Sequence, residues 1–180
     1  MAEMTDCLGR FVWHDMMTTD LDASLAFYQA LFPEWTINEL DMGDFTYPMI
    51  HVNGFDMGGF VALGDAPGVP SHCISYVAVE DCDATVAKFE AAGGACPVPA
   101  FDAPGVGRMA VVSDAQGAFI KPFQLAKPIE LPQTAFDGQF CWNELMTSDI
   151  DAAKTVYADI FGWEFKDVDM GEMGTYTLFQ

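Results

Sequence analysis

Apolar and polar residues alternate with strand-like spacing over three stretches, Phe11 to Thr18, His72 to Val79 and Phe140 to Thr147. Each stretch runs into the same four-residue mark, Asp-x-Asp-Ala, at Asp20–Ala23, Asp81–Ala84 and Asp149–Ala152. Helical spacing begins there. Leu21, Leu25, Tyr28 and Phe32 recur at helix-face intervals after the first mark, and Ile150, Tyr157 and Phe161 after the third. The leading Asp of each mark suits an N-cap, its carboxylate accepting an orphan amide. The second Asp falls in the first turn, where the helix dipole favours negative charge. Three copies at helix starts favour capping over a metal-binding Asp pair.

The pattern is a repeat. Between Phe11–Phe32 and Phe140–Phe161, nine of 22 positions are identical, among them Trp13/Trp142, Met17/Met146, Thr18/Thr147 and Tyr28/Tyr157. The likeness continues as Asp41-Met42-Gly43 against Asp169-Met170-Gly171, and Thr46-Tyr47 against Thr175-Tyr176. In the second copy Gly93-Gly94 stops the helix, Arg108 to Val112 is strand-like, Asp114-Ala115-Gln116-Gly117 is a turn, and Ala118 to Gln124 is a last strand. Each unit therefore reads strand, helix, strand, strand, strand. The boundaries are residues 8–64 and 70–127 for two complete modules, 128–137 for a linker, and 138–180 for an incomplete third module. The third stops at Tyr176–Gln180, inside a strand, so the expectation is a native chain that continues. The third module is then expected to leave a sheet edge covered by another chain or by packing on the first domain.

The tandem βαβββ order resembles the vicinal oxygen chelate superfamily of glyoxalases, bleomycin-resistance proteins and extradiol dioxygenases. The segments Trp142–Thr147, Phe161-Gly162-Trp163, Pro104–Arg108 and Asp114–Gly117 are similar to its four-module glyoxalase-like branch, named as hydroxylases or as a 27-kilodalton antigen. The resemblance implies an α+β fold in which the first two modules pair into a curved mixed sheet around a cavity, with helices outside. It also implies a reaction centred on a divalent ion, held by imidazoles and carboxylates on the first and fourth strands of each module. Carried onto this chain, the family's first-strand ligand position falls on Trp13, Ile74 and Trp142, and its last-strand position on Lys121. Trp and Ile offer no ligating atom, and a Lys cation repels a metal. The strand around Met57 to Leu63 holds no His, Glu or Cys, and Asp56 lies near its turn. No metal ligand is therefore assigned and no cofactor is expected. The alternative, a metal-dependent lyase or dioxygenase, would require a divalent ion.

Strand parity gives a candidate cavity lining. Trp13, Asp15 and Met17 come from strand one, Ile74, Tyr76 and Ala78 from its partner strand, and Phe119, Lys121 and Phe123 from the closing strand. Asp15 and Lys121 are the candidate catalytic pair, able to bind a polar ligand, to move a proton, or simply to fill the space of a lost metal site as a salt bridge. Trp13, Met17, Ile74, Tyr76, Phe119 and Phe123 are the candidate ligand contacts, and apolar core is the alternative reading of the same residues. Asp15 recurs as Glu144 in the third module. By the same parity His14 faces the helix side, while His72 stands at a strand mouth and His51 at the end of a third strand.

Charge narrows the partners. The 180 residues carry 27 Asp and Glu against 7 Lys and Arg, a net −20, and no basic residue lies between Arg10 and Lys88. Such a surface repels phosphate backbones and anionic lipid, so nucleic acid and membrane are excluded as partners. A mean hydropathy of +0.17 with 51% apolar residues specifies a folded chain rather than a disordered one. Five cysteines with no Cys-x-x-Cys spacing fit free thiols in a reducing cytoplasm, and the first residues lack the basic and apolar stretches of a secretory signal. The expected function is binding of a small molecule, with self-association through sheet edges as the expected assembly.

Overall fold

The computed structural model describes residues 3–64, 66 and 68–180. Among the described residues, ten strands and three α-helices follow one another as β1 (Phe11–Thr18), α1 (Leu21–Leu31), β2 (Thr36–Asp41), β3 (Thr46–Val52), β4 (Phe55–Ala62), β5 (His72–Ala78), α2 (Cys82–Ala91), β6 (Ala95–Ala103), β7 (Gly107–Ser113), β8 (Phe119–Leu125), α3 (Ile150–Phe161), β9 (Phe165–Asp169) and β10 (Thr175–Phe179). The class is α+β. No helix among the described residues is long and apolar enough to cross a membrane.

All three Asp-x-Asp-Ala marks are N-caps. Asp20 accepts from the Ala23 amide at 3.0 Å, Asp81 from Ala84 at 2.9 Å and Asp149 from Ala152 at 3.0 Å. The second Asp sits in the first turn each time, as Asp22, Asp83 and Asp151. In the second copy Asp83 also takes a bidentate pair from Arg108, at 2.7 and 3.0 Å, which holds its carboxyl below the usual range.

The chain forms two compact units. The first comprises the residues up to Cys7, Phe11–Val77 and Pro128–Glu144; the second comprises Leu8–Arg10, Ala78–Lys127 and Leu145–Gln180. In the first unit five strands lie in the order β2-β3-β4-β1-β5. β1 is parallel to β4 and antiparallel to β5, so the opening strands of the first two modules are direct neighbours. Trp35, Ile50, Val52, Met57 and Phe60 form the core, and α1 presses Leu21, Leu25 and Tyr28 against it. The 128–144 segment closes this core. Phe136 stacks on Phe55, Phe140 packs against Trp35, and Trp35 Nε1 donates to the Gly138 carbonyl at 2.8 Å.

The second unit has an antiparallel sheet, β8-β7-β6, and a separate β9–β10 hairpin. Phe89 of α2 meets Tyr157 and Phe161 of α3 edge-on, and Trp163 stacks on Phe179. The turn Asp114–Gly117 fastens the third helix start. Gln116 Oε1 accepts from Thr147 Oγ1 at 2.6 Å and from the Ser148 and Asp149 amides at 2.9 and 2.8 Å. Its Nε2 donates to the Asp149 carbonyl, and Tyr157 donates to Asp114.

Here the structure departs from the repeat. Residues Phe140 to Thr147, strand-like in sequence, form no strand. A strand exists only where another offers a ladder. In this segment Phe140 and Asn143 turn their side chains to Trp35 and His14, while Gln116 holds Thr147 and Ser148. Trp142, the equivalent of Trp13, is 63% exposed.

Candidate functional site

The first unit places its most unusual buried group on β1. Asp15 is 2% exposed, and both of its carboxylate oxygens accept phenol hydroxyls. Tyr47 donates to Oδ1 at 2.7 Å and Tyr76 donates to Oδ2. Trp13 Nε1 in turn donates to Tyr47 Oη at 2.8 Å. The result is a polar chain, Trp13 to Tyr47 to Asp15, with Tyr76 closing the other side.

The strand ladder explains how these residues meet. Across the antiparallel β1–β5 pair, Trp13 opposes Tyr76 and Asp15 opposes Ile74. Opposed residues share a face, so all four point to the same side of the sheet. On the other flank, parallel β4 sets Gly59 beside Asp15. A Cβ at Gly59 would strike the Tyr47 ring, so the missing side chain is the seat in which that phenol lies. Desolvation and the adjacent Asp15 raise the Tyr47 and Tyr76 pKa values, keeping both phenols protonated donors. The same two causes push the Cys73 thiol up to about 11, which makes it a poor nucleophile.

His14 lies on the opposite face with Ser75, its partner across the ladder. Its Nε2 is 3.1 Å from Asn143 Oδ1, which also accepts from Ser75 Oγ at 2.8 Å, and its ring stacks on Phe140 with centroids 4.3 Å apart. Burial lowers its pKa from 6.5; the Asn143 bond, the Met57 backbone and Asp15 oppose that shift with smaller weight. A histidine held neutral in the folded state gains a proton on unfolding, so its contribution fades as pH falls below 6.5. We expect the midpoint of urea unfolding to drop between pH 7 and about pH 5. That drop should be smaller in His14→Gln, and an equal drop in both proteins would remove His14 as the cause.

Other expected site residues are distributed differently. Trp13 and Met17 are half-buried on β1, and Ile74 and Tyr76 are buried on β5. Phe119, Lys121 and Phe123 belong to β8 of the second unit, where Lys121 and Phe123 are buried and Phe119 is 59% exposed. His51 pairs with Asp56 across the β3–β4 turn at 2.7 Å, and His72 bonds the Pro70 carbonyl. Among the described residues no three His, Cys, Asp or Glu side chains converge. Tyr47 is the member that sequence reasoning missed. Its signal was the recurrence of Thr46-Tyr47 as Thr175-Tyr176 beside the recurring Trp13/Trp142 and Asp15/Glu144.

The chain is 30% identical to "Putative glyoxylase CFP32" of Mycobacterium tuberculosis, over 93% of this chain and 66% of that relative. It is also 30% identical to the anthracycline biosynthesis protein DauV of Streptomyces sp. strain C5, over 92% of this chain and 64% of that one. The chain belongs to the vicinal oxygen chelate superfamily. The Mn(II)-bound glyoxalase of Novosphingobium aromaticivorans shares the fold at 16% identity, with a TM-score of 0.59 over 88% of this chain and 54% of that one. No family model matches the chain. On the face that carries Asp15, β1 and β5 contribute Trp13 and Ile74, and on the neighbouring β4 strand the residue beside Asp15 is a glycine.

Proposed function

We propose that the first unit binds a small organic molecule on its Trp13–Asp15–Met17 face and holds no resident metal ion there. The observation that carries this reading is Asp15, whose two oxygens are both committed to phenol protons. A divalent ion needs several converging donors, and Asp15 stands among phenols and apolar side chains, with no group of three His, Cys, Asp or Glu among the described residues. Trp13 and Ile74 add no donor atom, so the residues present do not fit the family's divalent ion. The half-buried indole and thioether beside this polar chain suit an apolar ligand with a few polar groups. The name of the Streptomyces relative, anthracycline biosynthesis protein, supports an aromatic ligand of that kind. A proton-transfer role for Asp15 is part of the same proposal.

The second reading, a metal-dependent lyase or dioxygenase, draws its support from the manganese carried by the Novosphingobium glyoxalase. Equilibrium dialysis against Mn2+, Zn2+ and Fe2+ with elemental analysis separates the two. We expect well under one ion per chain. A stoichiometric ion lost in Asp15→Asn would establish the second reading instead.

A further inference from the structure

The bonding capacity of Tyr47 is nearly used up, and what is left has a definite sign. A phenol has one proton and two acceptor lone pairs. The proton goes to Asp15 Oδ1 at 2.7 Å, and one lone pair takes the Trp13 indole N–H at 2.8 Å. One lone pair remains, so Tyr47 can accept from a ligand and cannot donate to one. The ring lies in the space left by Gly59, where a Cβ would meet it, and from there its hydroxyl reaches Asp15. The residues that share this face with Tyr47 and are half-buried, Trp13 and Met17, offer aromatic and thioether surface.

Resting on the small-molecule reading above, we infer that Tyr47 is a specificity-determining residue that accepts a hydrogen bond from the ligand, so that the first unit selects apolar aromatic molecules carrying a hydroxyl or N–H group and rejects carboxylates and phosphates. Rejection has a physical basis. An anionic oxygen brought to Tyr47 would face a lone pair, and the wider field of a chain with net charge −20 disfavours anions as well.

Three probes with one ring system test this: 2-naphthol, 2-methoxynaphthalene and 2-naphthoate, titrated calorimetrically into the full chain. The expected order places 2-naphthol about tenfold tighter than the methyl ether, the worth of one neutral hydrogen bond, with 2-naphthoate weakest. In Tyr47→Phe the naphthol preference should shrink to less than about threefold. Equal binding of naphthol and its ether by the wild-type chain overturns the inference while leaving the small-molecule reading intact. So does 2-naphthoate binding as tightly as naphthol, or a preference that survives in Tyr47→Phe. Failure of all three probes to bind at millimolar concentration sinks both readings together. The wild-type comparison stands even if Tyr47→Phe does not fold, because it needs no variant.

Discussion

Replacing Asp15 with alanine is expected to cost about 2–5 kcal/mol of folding stability, the largest effect of any side-chain truncation on this face. The carboxylate is a hub, and its loss leaves the Tyr47 and Tyr76 hydroxyls buried without the acceptors they now have. Each stranded donor costs roughly 1–3 kcal/mol, because water that would have replaced the bond is excluded. Asp15→Asn keeps one acceptor oxygen and similar volume, so it should cost about half as much. Urea unfolding of the two variants beside the wild type measures both values. A loss below about 1 kcal/mol in Asp15→Ala would mean that the phenols find other partners, and the site would have to be drawn without its hub.

Gly58→Ala is expected to be more damaging than its conservative appearance suggests, at about 3 kcal/mol or enough to prevent folding. A Cβ at Gly58 would run into the carbonyl of His14 on β1, the strand that lies between β4 and β5. Backbone meets backbone there, and no rotamer change relieves it. The adjacent Gly59→Ala should behave differently. Its Cβ would meet the Tyr47 ring, a side chain that can move away. That variant should keep most of its stability while detaching Tyr47 from Asp15. Thermal melts and spectrophotometric titration of the tyrosines distinguish the two, since a displaced Tyr47 would ionise at lower pH than in the parent. Equal stability losses in the two variants would contradict this account.

What was legible in the sequence was mostly what a short stretch determines by itself. The Asp-x-Asp-Ala marks cap helices wherever they occur, because the acceptor and the amide lie three residues apart. Strand β1 was legible at both ends, and strand parity correctly separated His14 from Asp15. The α+β class followed from the order of elements and from family resemblance. Features that depend on a distant partner were harder to see. Phe140 to Thr147 repeats Phe11, Trp13, Met17 and Thr18 of β1 in register, yet without a neighbouring ladder it forms no strand. Tyr47 reaches Asp15 only because β4 contributes a glycine at the right register, and no local pattern announces a space left empty. The Gln116 bonds to Thr147 and Asp149 likewise span more than 30 positions and join a turn to a helix start.

The neighbours of β1 also set a schedule for the growing chain. Asp15 is made early, but its two phenol partners lie 32 and 61 residues further along. β4 and β5, which flank β1, are likewise made after it. At roughly 5–20 residues per second, translation leaves the carboxylate waiting several seconds for Tyr76. Until β4 emerges β1 has neither edge covered, and until β5 follows it has only one, so a charge at its centre disfavours pairing with other nascent strands. The group that organises the finished site thus also protects the unfinished one.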